Sequence, residues 1–220
     1  MWYDLTQPFH PEIPHSTALP SPELETLTCV EDDGSNVQRY AAPTHVGTHV
    51  DAPRHFVPGG ATIDELPLDR FAGPAVVLDL GRDGPGEIPL ADIEAAAEAA
   101  GGVRQGDVVC VRTGWGAKFT DHEAYQRYPW LAPEVADWLL DRGAKLLAVD
   151  TISPDQPRAI RPAEWDAYPH HRTLLPAGVL IAEHLYLEDV AGERVELFGF
   201  PMKLRGGDGA PVRFAARPPE

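Results

Sequence analysis

Cysteine is nearly absent from this chain: Cys29 and Cys110 are its only thiols in 220 residues. Each lies in an apolar neighbourhood, which favours buried free thiols in a reducing compartment over a disulfide framework. Long hydrophobic runs are missing as well. No apolar stretch reaches the roughly 18 residues of a membrane-spanning helix. The N-terminus MWYDLTQPFH lacks the basic segment followed by an apolar core that marks a secretory leader. A cytoplasmic protein is expected. Basic residues are scarce too, with 18 Lys and Arg against 34 Asp and Glu and a formal charge of −16. Phosphate backbones and anionic lipid surfaces repel such a chain, so neither nucleic acid nor membrane is expected as a partner.

What is present describes a globular protein. Hydrophobic residues make up 43% and charged residues 24%, and the length suits one large domain over residues 1–220 that can bury a core around a rigid site. The 23 prolines and 20 glycines fall between apolar runs and read as loops and turns. Residues 1–39 are broken by Pro8, Pro11, Pro14, Pro20 and Pro22, so this stretch reads as an extended N-terminal arm with short strands. Its Trp2, Tyr3 and Phe9 suit packing on a neighbouring subunit and equally suit covering the chain's own sheet.

Four short apolar runs rich in β-branched residues predict buried strands: Ala75–Leu80, Asp107–Arg112, Lys145–Asp150 and Val179–Glu183. Two helices are predicted between them. Leu90–Ala100 follows Pro89 and stops at Gly101 and Gly102, and Pro133–Arg142 stops at Gly143. After Glu193, VELFGFPMKLRGGDGAPVRFAA reads as strands joined by a Gly-Asp-Gly turn. Strand and helix alternate only in the middle of the chain. The expected class is therefore α/β, with a mixed sheet or barrel-like core and a few flanking helices.

Chemistry concentrates in Thr44–Phe56, THVGTHVDAPRHF. His45, His49 and Asp51 offer two imidazoles and a carboxylate, a donor set that suits zinc, manganese or iron, and His55 follows. Gly47, the β-branched Val46, Thr48 and Val50, and Pro53 argue against helix here. In an extended chain, residues of equal parity face one side, and positions 45, 49, 51 and 55 are all odd. Four strand residues span about 13 Å, so Gly47 is expected to bend or bulge the chain and shorten the gap. The alternative is a histidine-rich turn that only caps and hydrogen-bonds, and it loses ground once Asp51 and Pro53 are added.

The string H-V-G-T-H-V-D-A-P-R-H-F resembles the H-x-G-T-H-x-D-x-P-x-H-F signature of the cyclase-type metal-dependent hydrolases, which include the bacterial kynurenine formamidases and the isatin hydrolases. GGATIDELPLDRFAGPAVVLDL, RTGW at Arg112–Trp115, AVDTISPD at Ala148–Asp155, HRTLLPAGVLIAEHL at His171–Leu185, and FPMKLRGGDGAPVR resemble further family blocks in family order. The likeness covers nearly the whole chain. It implies a swivelling β/β/α fold, metal ligands at His45, His49, Asp51, His171 and Glu183 with Asp51 bridging, and one or two zinc or manganese ions. It also implies His55 as catalytic acid/base, with Glu183 beside it in the catalytic set, and a homo-oligomer, commonly a dimer. His170 competes with His171, but the spacing to Glu183 and the following Leu174 and Leu175 match the family block at His171.

The implied reaction is hydrolysis of a small-molecule amide, most specifically arylformamidase action on N-formylkynurenine. A metal ion lowers the pKa of bound water from 15.7 to about 7, which gives a hydroxide nucleophile at neutral pH. The rival substrate class is a cyclic amide or imide such as isatin, and the rival protein class is a non-catalytic metal-binding protein, against which His55 argues. A serine mechanism is disfavoured because no G-x-S-x-G elbow occurs. No residue that reads the substrate is identifiable from the sequence.

Overall fold

The computed structural model describes residues 1–158, 160 and 168–219. Nine strands form one curled sheet: β1 (Tyr3–Asp4), β2 (His49–Asp51), β3 (Ala72–Asp79), β4 (Val108–Arg112), β5 (Leu146–Val149), β6 (Leu180–Glu183), β7 (Arg194–Phe198), β8 (Gly209–Pro211) and β9 (Ala215–Arg217). Their order is β1-β9-β7-β3-β4-β5-β6-β2-β8. The central four, β3 to β6, run parallel. Antiparallel strands flank them on both sides. The four strands expected from apolar runs are this parallel centre. A strand covered on both faces needs apolar residues at every position, which is why these segments read as continuous runs instead of alternating ones.

The two faces are distinct. Ala75, Val77, Cys110, Ala148, Ala182 and Val50 look into the concave side, where Leu5, Leu197, Phe214 and Ala216 join them in one core. Val76, Val109, Val111, Leu147, Val149 and Ile181 look the other way. That outer face is covered by α1 (Leu90–Ala99), which buries Ile93 and Ala97, and by α2 (Glu134–Asp141), which buries Val135, Ala136, Trp138 and Leu139. The third helix there, α3 (Pro169–Leu174), buries His170, His171 and Leu174. Gly101, Gly102 and Gly143 take positive φ after α1 and α2 and end them as the sequence predicts.

The C-terminal strands are present, but the Gly-Asp-Gly turn does not make a hairpin. The strand before it, β7, pairs with β3 and β9, whereas β8 pairs with β2 at the far end of the sheet order. The N-terminal stretch supplies β1, then runs inward through the fully buried Leu5 and Ile13. It continues into a two-stranded ribbon, Glu23–Thr28 paired with Val37–Ala41. No helix among the described residues is long and apolar enough to cross a membrane.

Both cysteines are free thiols. Burial pushes the Cys110 thiol up to about 12, so almost no thiolate is available there at neutral pH. Cys29 is half-buried on the ribbon side. Alkylation of native protein at pH 8 should therefore label one thiol, Cys29, with Cys110 reacting only in denaturant. Mass spectrometry of the labelled peptides checks this, and rapid native labelling of Cys110 would contradict the packing described.

Candidate metal centre

The cluster forms where β2 is inserted between β6 and β8. Strand alternation sends Val50 into the core and places His49 and Asp51 together on the outer face. The antiparallel register sets Glu183 of β6 directly opposite His49 and Gly209 of β8 opposite Asp51. His49 Nε2 stands 3.4 Å from Glu183 Oε2 and 3.4 Å from Asp51 Oδ1. From α3, His171 brings Nε2 to 3.3 Å from Asp51 Oδ2 and 3.5 Å from Glu183 Oε1. Glu183, at 6% exposed, does not point to solvent from its strand end.

His45 and His55 reach the cluster by a different route from the expected strand. Only His49–Asp51 is extended: His45 lies in the preceding turn, and His55 ends the 3-10 turn Pro53–His55. Parity therefore explains 49 and 51 but not 45 and 55. The physical reason lies in the two flanking residues. Gly47 takes φ +69°, turning the chain so that His45 Nδ1 comes within 2.7 Å of Asp51 Oδ1. Pro53 starts the tight turn that brings the His55 ring onto His45, with centroids 3.8 Å apart at 25°. Gly209 leaves the room required, since a Cβ there would stand 2.8 Å from His45 Cε1.

Asp208, Asp155 and His184 complete the surroundings, and sequence reasoning singled out neither aspartate. Asp208, just before β8, lies 3.2 Å from His45 Nε2 and 3.9 Å from His55 Nδ1. Asp155 bonds the Nδ1 atoms of His170 and His171 at 2.7 and 2.6 Å. His184 follows Glu183 and would face the opposite side of the sheet in a regular strand. Its φ of +60° breaks that alternation, and its ring stacks on Tyr125 with centroids 5.6 Å apart. No spacing rule reveals the two aspartates, because only the tertiary fold brings them to their histidines.

The donor atoms suit a divalent ion. Buried His45 Nε2, His49 Nε2, Asp51 Oδ2 and Glu183 Oε1 have no hydrogen-bond partner, although buried polar atoms are normally satisfied. Donor atoms of three sets lie within 4.8 Å of one another: His45, Asp51 and His55; Asp51, His171 and Glu183; and His49, Glu183 and His184. Asp51 and Glu183 each belong to two sets, as bridging carboxylates would. His49 Nδ1 donates to the Gly47 carbonyl at 2.8 Å, so its lone pair sits on Nε2, facing the cluster.

Charge is tuned by burial and by these neighbours. Burial disfavours the Asp51 anion, yet the His45 charge foremost, with the nearby rings of His171 and His49 and the hydrogen bond from His45 Nδ1, holds its carboxyl well below the usual range. Burial likewise opposes charge on His45, but Asp51 and Asp208 outweigh it and raise that ring to about 10. Burial foremost, with help from His45 and His171, pushes His55 down to about 4 against the pull of Asp51 and Asp208. His55 is thus a neutral imidazole at the edge of the cluster. A cavity of about 260 Å³ opens onto His45, His55, His171 and Glu183, with Phe56 and Tyr168 among its walls. A groove of about 390 Å³ beside Phe9, Tyr40, Phe200 and Met202 holds none of the donors.

A buried His/Asp/Glu donor set on a curled mixed sheet, opening on a cavity, marks a candidate metal centre. The Cyclase family model matches residues 3–156. A kynurenine formamidase from Paracidovorax citrulli is 34% identical over 234 residues, covering 100% of this chain and 97% of its own. One from Salinibacter ruber is 34% identical, covering 85% and 82%. The chain belongs to the Cyclase family and is a hydrolase acting on carbon–nitrogen bonds other than peptide bonds. Among solved structures, a potential metal-dependent hydrolase with cyclase activity matches at TM-score 0.79 with 30% identity, covering 100% of this chain and 99% of that one. Isatin hydrolase A from Ralstonia solanacearum shares the fold at TM-score 0.86 and 24% identity, covering 98% and 91%.

Proposed function

We propose that this chain is an arylformamidase-like hydrolase that cleaves N-formylkynurenine to kynurenine and formate, with His45, His49, Asp51, His171 and Glu183 holding one or two zinc or manganese ions. The observation that carries the reading is the set of unpartnered buried donor atoms beside the cavity. A divalent ion bound there supplies Lewis-acid activation of water and of the amide carbonyl.

The chain's own residues supply the rest. His55 lines the cavity as a neutral imidazole, so it can accept the proton released by the attacking water and return it to the departing aryl nitrogen. Glu183, with Oε1 unpartnered, lines the same cavity and is the second catalytic group. Phe56 and Tyr168 offer flat walls to an aryl ring. Turnover of an aryl formamide, with a cyclic imide run in parallel on zinc- and manganese-loaded protein, tests the substrate class. Preference for the cyclic imide would move the reading to the isatin-like reaction.

The same reading places one domain over residues 1–220, in the cytoplasm, as a homo-oligomer. Its free thiols support the compartment. Exposed Leu24, Leu27, Val37 and Tyr40 on the two-stranded ribbon support association, because an isolated two-stranded ribbon is at best marginally stable in water. Light scattering on the eluting protein should give a mass above one 24.0 kDa chain.

A further inference from the structure

Asp155 is 1% exposed and divides its carboxylate between two consecutive histidines. Oδ1 accepts the backbone N–H of His170 at 3.0 Å and faces the Nδ1 of the same residue at 2.7 Å. Oδ2 faces His171 Nδ1 at 2.6 Å. An ionised carboxylate only accepts, so both rings donate Nδ1–H, and in the neutral form each carries its lone pair on Nε2. The outcome then differs. His171 Nε2 looks at Asp51 and Glu183, whereas His170 Nε2 belongs to none of the donor sets found among the described residues.

We propose that Asp155 is a positioning residue that makes His171, and not His170, the metal ligand. His170 pins one carboxylate oxygen with two donors and so fixes the plane of the group. The remaining oxygen then sets both the tautomer and the aim of the His171 ring. The inference rests on the reading of His171 as a ligand and adds the reason why that histidine is chosen from an adjacent pair. Asp155→Asn exposes the logic because an amide has one acceptor and one donor. With two donors from His170 to satisfy, the asparagine carbonyl stays on His170 and the NH₂ turns to His171. His171 must then accept at Nδ1 and carry its proton on Nε2, where it blocks ligation.

The test uses the zinc ion alone as probe on the full chain. Competition against a chromophoric chelator should show Asp155→Asn binding zinc 10- to 100-fold more weakly, the usual effect of losing a carboxylate behind a ligating histidine. Histidine ¹⁵N spectra of zinc-loaded wild type should show His171 protonated at Nδ1 and ligating through Nε2, with His170 protonated at Nδ1 and free of metal. A purely structural role for Asp155 would lower the melting temperature without changing the tautomer. Zinc affinity of Asp155→Asn within threefold of wild type would overturn the proposal, as would a wild-type spectrum with His170 as ligand. Should Asp155→Asn fail to fold, the wild-type spectrum decides alone. Wild type that takes up no zinc would instead defeat the metal reading itself.

Discussion

His49→Ala is expected to lose bound metal and turnover together. His49 is fully buried, its Nδ1 is committed to the Gly47 carbonyl, and its Nε2 is an unpartnered donor within 3.4 Å of both Asp51 and Glu183. Alanine removes a ligand that no neighbour on the strand can replace, since Val50 faces the core and Thr48 bonds the His184 carbonyl. Glu183→Gln should act similarly while keeping the side chain's shape, because it withdraws the charge that two donor sets share. Elemental analysis and turnover of the purified variants are the measurements. Wild type should also be stabilised by the ion, by about 2.7 kcal/mol at a zinc concentration 100 times Kd. That corresponds to roughly 5–10 °C in melting temperature for a domain of this size, and the shift should vanish in His49→Ala. A variant that keeps a stoichiometric ion and full activity would remove His49 from the centre.

The parts of this molecule legible in the sequence are those set by local patterns. The parallel strands announce themselves because burial on both faces demands unbroken apolar runs, and Gly101, Gly102 and Gly143 mark helix ends because each takes positive φ. His49 and Asp51 follow from parity. Residue parity fails at His45 and His55 because Gly47 and Pro53 bend the chain on either side of a strand only three residues long. The sequence reading expects the bend at Gly47 but carries the extended chain through Pro53, where the structure turns, and the four side chains still converge. Asp208 shows a different limit. It sits in a glycine-rich turn that local chemistry explains completely, and its approach to His45 depends on β8 pairing with β2, a contact across more than 150 residues of sequence. Register decides such contacts, and register between distant strands is not written in either segment alone.

His55→Ala is expected to keep its metal and lose turnover by roughly 100-fold or more, the usual worth of a positioned proton-transfer group. The ring lies at the cavity edge, more exposed than His49 or Asp51, and it contacts the cluster by stacking on His45 and through Asp208 at 3.9 Å. All five proposed ligands remain when it is removed. Burial and the neighbouring His45 and His171 hold His55 neutral down to about pH 4, so it is available as a base across the neutral range. As pH falls, its contribution should disappear only near that value, and kcat/KM should show no acid limb from His55 at the ordinary histidine range near 6.5. Bound metal, kcat and the pH profile of the variant separate the roles. A fully active His55→Ala protein would exclude proton transfer by this residue, and one that emerges without metal would make His55 a ligand of the set it shares with His45 and Asp51. An acid limb near 6.5 in wild type that is lost in the variant would place proton transfer at His55 but refute the depressed pKa that its burial demands.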